Sequence, residues 1–246
     1  MARDGFAAVA SQLTGIGRRF YARGWVLGTS GNFSAVVSTR PLRLAITASS
    51  AHKGRLRAAD ILQCDEQGAV VAGAPDPARR ASTRRGSRRR TVSRKPSAET
   101  LLHVEIARRR GAGAVLHTHS VWTTVLSDVH AHESGFSIEG YEMLKGLTGV
   151  ASHEHREWIP IVDNDQDMTR LSKRVGALLE DRPDAHAFLL RRHGLYTWGE
   201  TLADAERHIE ILEFLFETVG RTGQFTIHNS QFTKDSSRGI LGPRDL

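Results

Sequence analysis

Cysteine is almost missing from this 246-residue chain: Cys64 stands alone, which excludes an internal disulfide and any cysteine-rich zinc module. Any metal must therefore be held by histidine and carboxylate. Long apolar runs are missing as well. No stretch approaches the roughly 18 residues that a membrane span requires, and the N-terminus lacks the charged-then-apolar pattern of a secretory signal. A cytoplasmic protein, with no membrane partner, is expected. Acidic residues are missing from 79–95, which carries nine basic residues and leaves 25 basic against 27 acidic residues elsewhere. The formal net charge of +7 thus belongs to one segment, and the body of the protein is nearly neutral. That segment follows Gly73-Ala74-Pro75-Asp76-Pro77, shows no apolar periodicity, and reads as a solvated, mobile insertion over 74–95. An RNA- or phosphate-attracting arm and a tolerated surface loop both fit it. No aromatic interleaves its arginines, so base stacking has no platform and nucleic acid is not expected as a partner.

What is present is histidine in pairs. Ala114-Val115-Leu116-His117-Thr118-His119 is a short apolar run in which alternate side chains of an extended strand share a face. His117 and His119 can then point at one metal while Leu116 and Thr118 point the other way. His193, in Arg191-Arg192-His193-Gly194, would add a third imidazole and leave a coordination position open, as in catalytic zinc sites. Two other His-x-His pairs compete: His130/His132 sits in a loop-like stretch, and His153/His155 in a strongly polar one. Burial of the first pair favours neutral ligands, although spacing alone also fits two hydrogen-bonded core histidines.

With 39% hydrophobic residues the chain can build one sizeable core. Phe6, Val9, Leu13, Ile16 and Phe20 recur at helical spacing and Gly24 closes that helix. Strand-like runs at 33–38, 42–47, 61–65 and 69–71 are joined by turns too short for crossover helices, which predicts an antiparallel meander. Pro96-Ser97-Ala98-Glu99 reads as a helix start with Ser97 as N-cap, the helix running to about Arg110. Strands at 158–162 and 187–191 flank a helix face of Met168, Leu171, Val175 and Leu178. Leu202, Ala205, Ile209, Leu212, Phe216 and Val219 form one stripe of a last helix, read as a core face; fewer than three heptads are present for a zipper. The sum is one α/β domain with a mostly antiparallel sheet covered by helices.

Three motifs offer amides, hydroxyls and a lysine to a phosphate monoester: Gly28-Thr29-Ser30-Gly31-Asn32-Phe33-Ser34, the hydroxyl-rich turn 47–54, and the helix start at Ser97. Gly140-Tyr141-Glu142-Met143-Leu144-Lys145-Gly146 sets an acid among apolar neighbours, where desolvation would raise its pKa for proton transfer; a surface pair with Lys145 at i+3 is the alternative. Glu99 either complements the helix dipole or faces the metal.

The Gly31-Asn32-Phe33-Ser34 loop, the 47–54 turn, Pro96-Ser97-Ala98-Glu99, His117-Thr118-His119 and His193-Gly194 together resemble the class II aldolase family, over residues 6 to 218 or so. Residues 140–145, Asp163-Asn164-Asp165-Gln166-Asp167-Met168 and 192–199 more narrowly resemble its branch of methylthioribulose-1-phosphate dehydratases. The resemblance implies a single-domain three-layer fold over 1–225 with a C-terminal tail, 226–246. It implies one zinc ion per subunit on His117, His119 and His193, with Glu142 as general acid/base. Aldolases of the wider family use the glutamate matching Glu99 for proton transfer and sometimes as a ligand. Asn32, Ser49, Ser50, Lys53 and Ser97 are then the candidates for the phosphate of a sugar-phosphate substrate. The implied reaction is dehydration of 5-methylthioribulose 1-phosphate in methionine salvage, by a homotetramer with active sites near subunit interfaces. A class II sugar-phosphate aldolase or epimerase is the alternative. Adducin-like scaffolds usually lack the metal histidines, and all three are present here.

Overall fold

The computed structural model describes residues 5–73 and 94–236, so most of the arginine-rich stretch and the end of the tail, 237–246, lie outside the described residues. Val9, Leu13, Ile16 and Phe20 are all buried along one face of α1 (Phe6–Ala22), and Gly24 at φ +78° turns the chain out of it. The expected meander follows as β1 (Asn32–Thr39), β2 (Leu42–Thr47), β3 (Ile61–Asp65) and β4 (Val70–Gly73), antiparallel throughout.

After α2 (Thr100–Arg110) come β5 (Ala114–Thr118), α3 (Val121–Val129), β6 (Gly135–Ile138), β7 (Glu157–Val162), α4 (Met168–Asp181), β8 (Ala187–Leu190), β9 (Gly194–Gly199) and α5 (Leu202–Ser236). The strands form one nine-stranded sheet, β4-β3-β2-β1-β5-β9-β8-β7-β6, antiparallel at every neighbouring pair except β7/β8. Helices cover both faces, giving three layers. Leu116, Leu189 and Leu195 pack with α1 and with Ala205, Ile209, Leu212 and Phe216 of α5, whereas Val115, Phe188 and Tyr196 pack with Leu102 and Ile106 of α2 and Leu171 and Val175 of α4. The stripe on the last helix is thus a core face. Among the described residues no helix is long and apolar enough to cross a membrane.

One local expectation is corrected. Ser97 is not the N-cap of α2: its hydroxyl accepts from Glu99 N at 3.3 Å in a turn ahead of the helix, and Thr100 N and Oγ1 both bond back to its carbonyl. Pro96 is drawn into a bridge with Ala48 just past the end of β2, so the chain is still extended where a helix would start, and Glu99 becomes the residue ahead of the first turn. Arg94 and Lys95 end the basic stretch beside this bridge: Arg94 pairs with Asp60 at 3.2 Å, and the Lys95 carbonyl accepts from Ser49 N at 2.9 Å.

Candidate metal centre and its cavity

β5 lies between β1 and β9, with His117 opposite Asn32 on one side and Tyr196 on the other. The alternation of the strand sorts its side chains as its sequence requires: Thr118 turns to α5, donating to Glu213 at 2.6 Å, while His117 and His119 meet on the other side with Nε2 atoms 2.7 Å apart. His193 follows β8 on a tight turn in which Arg192 sits at φ +54°, and its Nε2 lies 3.4 Å from that of His117. Three imidazoles therefore converge through the same ring nitrogen.

Backbone apposition makes this convergence possible. A Cβ on Gly194 would stand 2.0 Å from the Thr118 carbonyl oxygen, and one on Gly31, at φ +69°, would stand 2.6 Å from that of His117. Only glycine lets the three segments close on one another. The His117 ring is then fixed by Nδ1–H donation to the Leu195 carbonyl at 2.8 Å and by stacking on Tyr196, centroids 3.9 Å apart. That bond leaves the Nε2 lone pair to face the cluster. Burial, then the neighbouring His119 and His193, hold His117 well below its ordinary pKa; burial, then His193 and Lys53, bring His119 down to about 3; burial lowers His193. Neutral imidazoles with converging lone pairs are the donor set of a divalent transition metal, and the three fit one ion.

Glu99 completes the cluster, its carboxylate 3.5 Å from His117 Nε2 and 3.4 Å from His193 Nε2. It faces the metal position, as one of the two readings from sequence has it. A chain of hydrogen bonds holds it from behind. Ser34 Oγ lies 2.8 Å from His103 Nδ1, His103 Nε2 bonds the Asn32 amide oxygen, and the Asn32 amide nitrogen donates to Glu99. His103 is fully buried and burial lowers its pKa to about 3, so the ring is neutral: Ser34 donates to Nδ1, and Nε2–H donates to Asn32.

A cavity of about 390 Å³ opens from Glu99, His119 and His193, and Asn32, Ser49, Ser50, Lys53 and Ser97 all line it. Lys53 is buried and its Nζ donates to the carbonyls of Thr29 and Ala51 at 3.1 and 2.9 Å. Burial pulls its pKa down to about 8, against the raising pull of Glu99. Ser50 sits at φ +58°, a backbone cost carried by the turn that presents these hydroxyls. Residues not singled out for the site also reach the wall: Thr29 and Ser30 from the glycine-rich loop, and Asn164, Gln166 and Met168 from the acidic motif that leads into the first residue of α4. Both motifs were visible in the sequence; which of their side chains face inward was not.

Glu142 is outside this cavity. It lies on a short 3-10 turn, Glu142–Gly146, 70% exposed, paired with Lys145 and 3.5 Å from His153 Nδ1. Of the two readings from sequence the surface pair with Lys145 is the one found and desolvation is not: the hydrogen bond from Lys145 holds its carboxyl below the ordinary value. Leu144 takes the buried side of the turn instead. The competing histidine pairs also separate from the centre. His130 and His132 lie near Glu133 at the surface, and His155 bonds Glu157 at 2.8 Å.

The class II aldolase and adducin N-terminal domain model matches residues 11–219. Methylthioribulose-1-phosphate dehydratase of Pseudomonas fluorescens is 43% identical over 210 residues, 85% of this chain and 90% of that protein. The enzyme of the same name from Methylococcus capsulatus is 42% identical, over 86% and 93%. Among solved structures, L-fuculose-1-phosphate aldolase from Thermus thermophilus superposes with a TM-score of 0.66 at 22% identity, covering 90% of this chain and 98% of that one, a likeness of fold.

Proposed function

Since the chain belongs to the class II aldolase and adducin family, we propose that it is a zinc-dependent methylthioribulose-1-phosphate dehydratase acting in methionine salvage. The observation that carries this reading is the convergence of three neutral imidazoles at one end of a cavity whose walls bear Lys53 and a ring of hydroxyls. The two relatives above, of which the chain covers most, bear that activity in their names.

On this reading His117, His119 and His193 hold the metal, which supplies Lewis acidity to the C2 ketone and the C3 hydroxyl of the substrate. Asn32, Ser49, Ser50, Ser97 and Lys53 hold the phosphate; two of the three Lys53 N–H groups are committed to carbonyls, leaving one for the anion. Met168 gives the cavity an apolar wall suited to the methylthio end. Glu142 takes the proton from C3 and returns it to the departing C4 hydroxyl as water; the enol left behind tautomerises to 2,3-diketo-5-methylthiopentyl 1-phosphate. Glu142 is exposed on its own chain, and on this reading it serves the cavity of an adjacent copy in a homotetramer with sites near its interfaces.

The test is turnover of 5-methylthioribulose 1-phosphate, followed as diketone, by protein stripped of metal and reloaded with zinc. Zinc-dependent diketone formation is expected, with Glu142→Gln lowering it about 10²- to 10⁴-fold at unchanged metal content. One observation favours a second reading: Glu99, not Glu142, faces the imidazoles. If sugar phosphates are cleaved at a carbon–carbon bond, Glu99→Gln abolishes that cleavage and no diketone forms, the enzyme is an aldolase.

A further inference from the structure

A second cluster of metal-ligating side chains lies at the other end of β8. His186 directly precedes β8 and His193 follows it, so the strand separates the two sites. β7 and β8 are the one parallel pair among the described strands, which sets Glu157, the first residue of β7, beside His186 at the start of its neighbour. His155 precedes Glu157 by two residues and so shares its side of the extended chain. His155 Nε2 lies 2.8 Å and His186 Nδ1 2.9 Å from the same carboxylate oxygen, Glu157 Oε2.

The surrounding bonds are those that prepare ligands. The other ring nitrogen of His186 donates to the Thr148 carbonyl at 2.8 Å, which fixes the tautomer and turns Nδ1 towards Glu157. The second oxygen of Glu157 accepts from the His186 backbone N–H at 3.2 Å, which holds the carboxylate in place. Glu157 is 2% exposed, whereas the His155 side chain is 32% exposed and opens the cluster to solvent. His208, whose ring is 5.7 Å from that of His186, is already committed through both nitrogens, to Thr148 and to the Trp198 carbonyl. Three donors thus converge on one point, where a cation can replace the ring protons and satisfy two ring nitrogens and a carboxylate oxygen together.

We propose that His155, Glu157 and His186 form a second metal site, for a divalent first-row ion of the zinc type, distinct from the centre of His117, His119 and His193. Their donor atoms are close enough together for one ion, and two imidazoles with one carboxylate are a set that zinc accepts while keeping a position open. An ion there joins β7 to β8 and, through Thr148, to the segment that follows the Glu142–Gly146 turn. Its role is to brace the fold.

The experiment counts metal on the full-length chain after chelator stripping, zinc reloading and gel filtration. Wild type is expected to retain about two equivalents per chain, His155→Ala about one, His119→Ala about one, and the double variant none. His119→Ala also tests the cluster without altering it: zinc should raise its thermal midpoint and cobalt should give it a visible d–d spectrum, both lost in His119→Ala/His155→Ala. If wild type retains one equivalent and His119→Ala none, with no zinc-dependent midpoint shift, the cluster is a protonated ion pair and the proposal is overturned. Retention of two equivalents by His155→Ala overturns it equally.

Discussion

The two histidine clusters at the ends of β8 are built from the same side chain and have opposite electrostatics. At His117, His119 and His193 each ring faces other rings in a buried space, and burial drives the charged form away. At His186 a carboxylate stands 2.9 Å from the ring, and its pull outweighs an equally real burial, so the pKa rises while that of Glu157 falls. Burial alone therefore does not set a histidine's charge; a carboxylate hydrogen-bonded to the ring can outweigh it. Glu99, at 3.4 to 3.5 Å, is the nearest acid to the first cluster, and its raising pull on His193 does not reverse the effect of burial.

The largest test of this contrast is loss of the first cluster. His119→Ala should bring metal-dependent turnover to background, whereas His155→Ala, which does not line the cavity, should leave it within a few-fold of wild type; comparable losses in both would erase the distinction. A smaller effect sharpens the account of how the first cluster is held. Cutting the chain from Ser34 to Glu99 with His103→Ala should lower turnover about 10- to 100-fold, and His103→Gln, whose amide can still donate to Asn32, should recover part of it. A mere packing defect would not distinguish the two substitutions.

The smallest effect is the most diagnostic, and it concerns metal-stripped protein. His119 has a folded pKa below its unfolded 6.5, so its contribution to stability is present above about pH 6.5 and is lost as pH falls towards about 3. His186 has a folded pKa above 6.5, so its contribution is present below pH 6.5 and is lost as pH rises through the folded value. Thermal midpoints across this range should therefore show Glu157→Gln costing more near pH 6 than near pH 9. His119→Gln should lessen the loss of stability below pH 6. Parallel pH profiles for both variants would show that the clusters do not differ as described.

The first cluster was legible in the sequence because strand alternation is a local rule: two residues apart on an apolar run means one face. The second was not, because Glu157 and His186 are brought together by a parallel pairing across α4 that no local pattern announces. β9 was missed as a strand since all its residues are buried and no polar alternation remains to read. α3 opens Val121-Trp122-Thr123-Thr124-Val125, poor helix formers, and is started by Ser120, whose hydroxyl accepts from Thr123 N at 3.2 Å. Glu142 was open to two readings from sequence, and the tight turn settles them by sending Leu144 inward and the acid outward with Lys145, at the i+3 spacing that the surface pair requires. The phosphate-side motifs were readable as types, a glycine loop and a hydroxyl turn, while the inward reach of Gln166 and Met168 depends on how α4 sits against the sheet.

Gly194 packs against the Thr118 carbonyl so closely that a single added carbon would stand 2.0 Å from it. The ligands of the candidate metal centre are therefore registered by main chain pressed on main chain and not by the reach of flexible side chains. Anyone wishing to transplant this centre into another scaffold would have to carry β5 and the turn after β8 across as one joined piece, because grafted histidines alone would arrive without the gauge that sets their spacing.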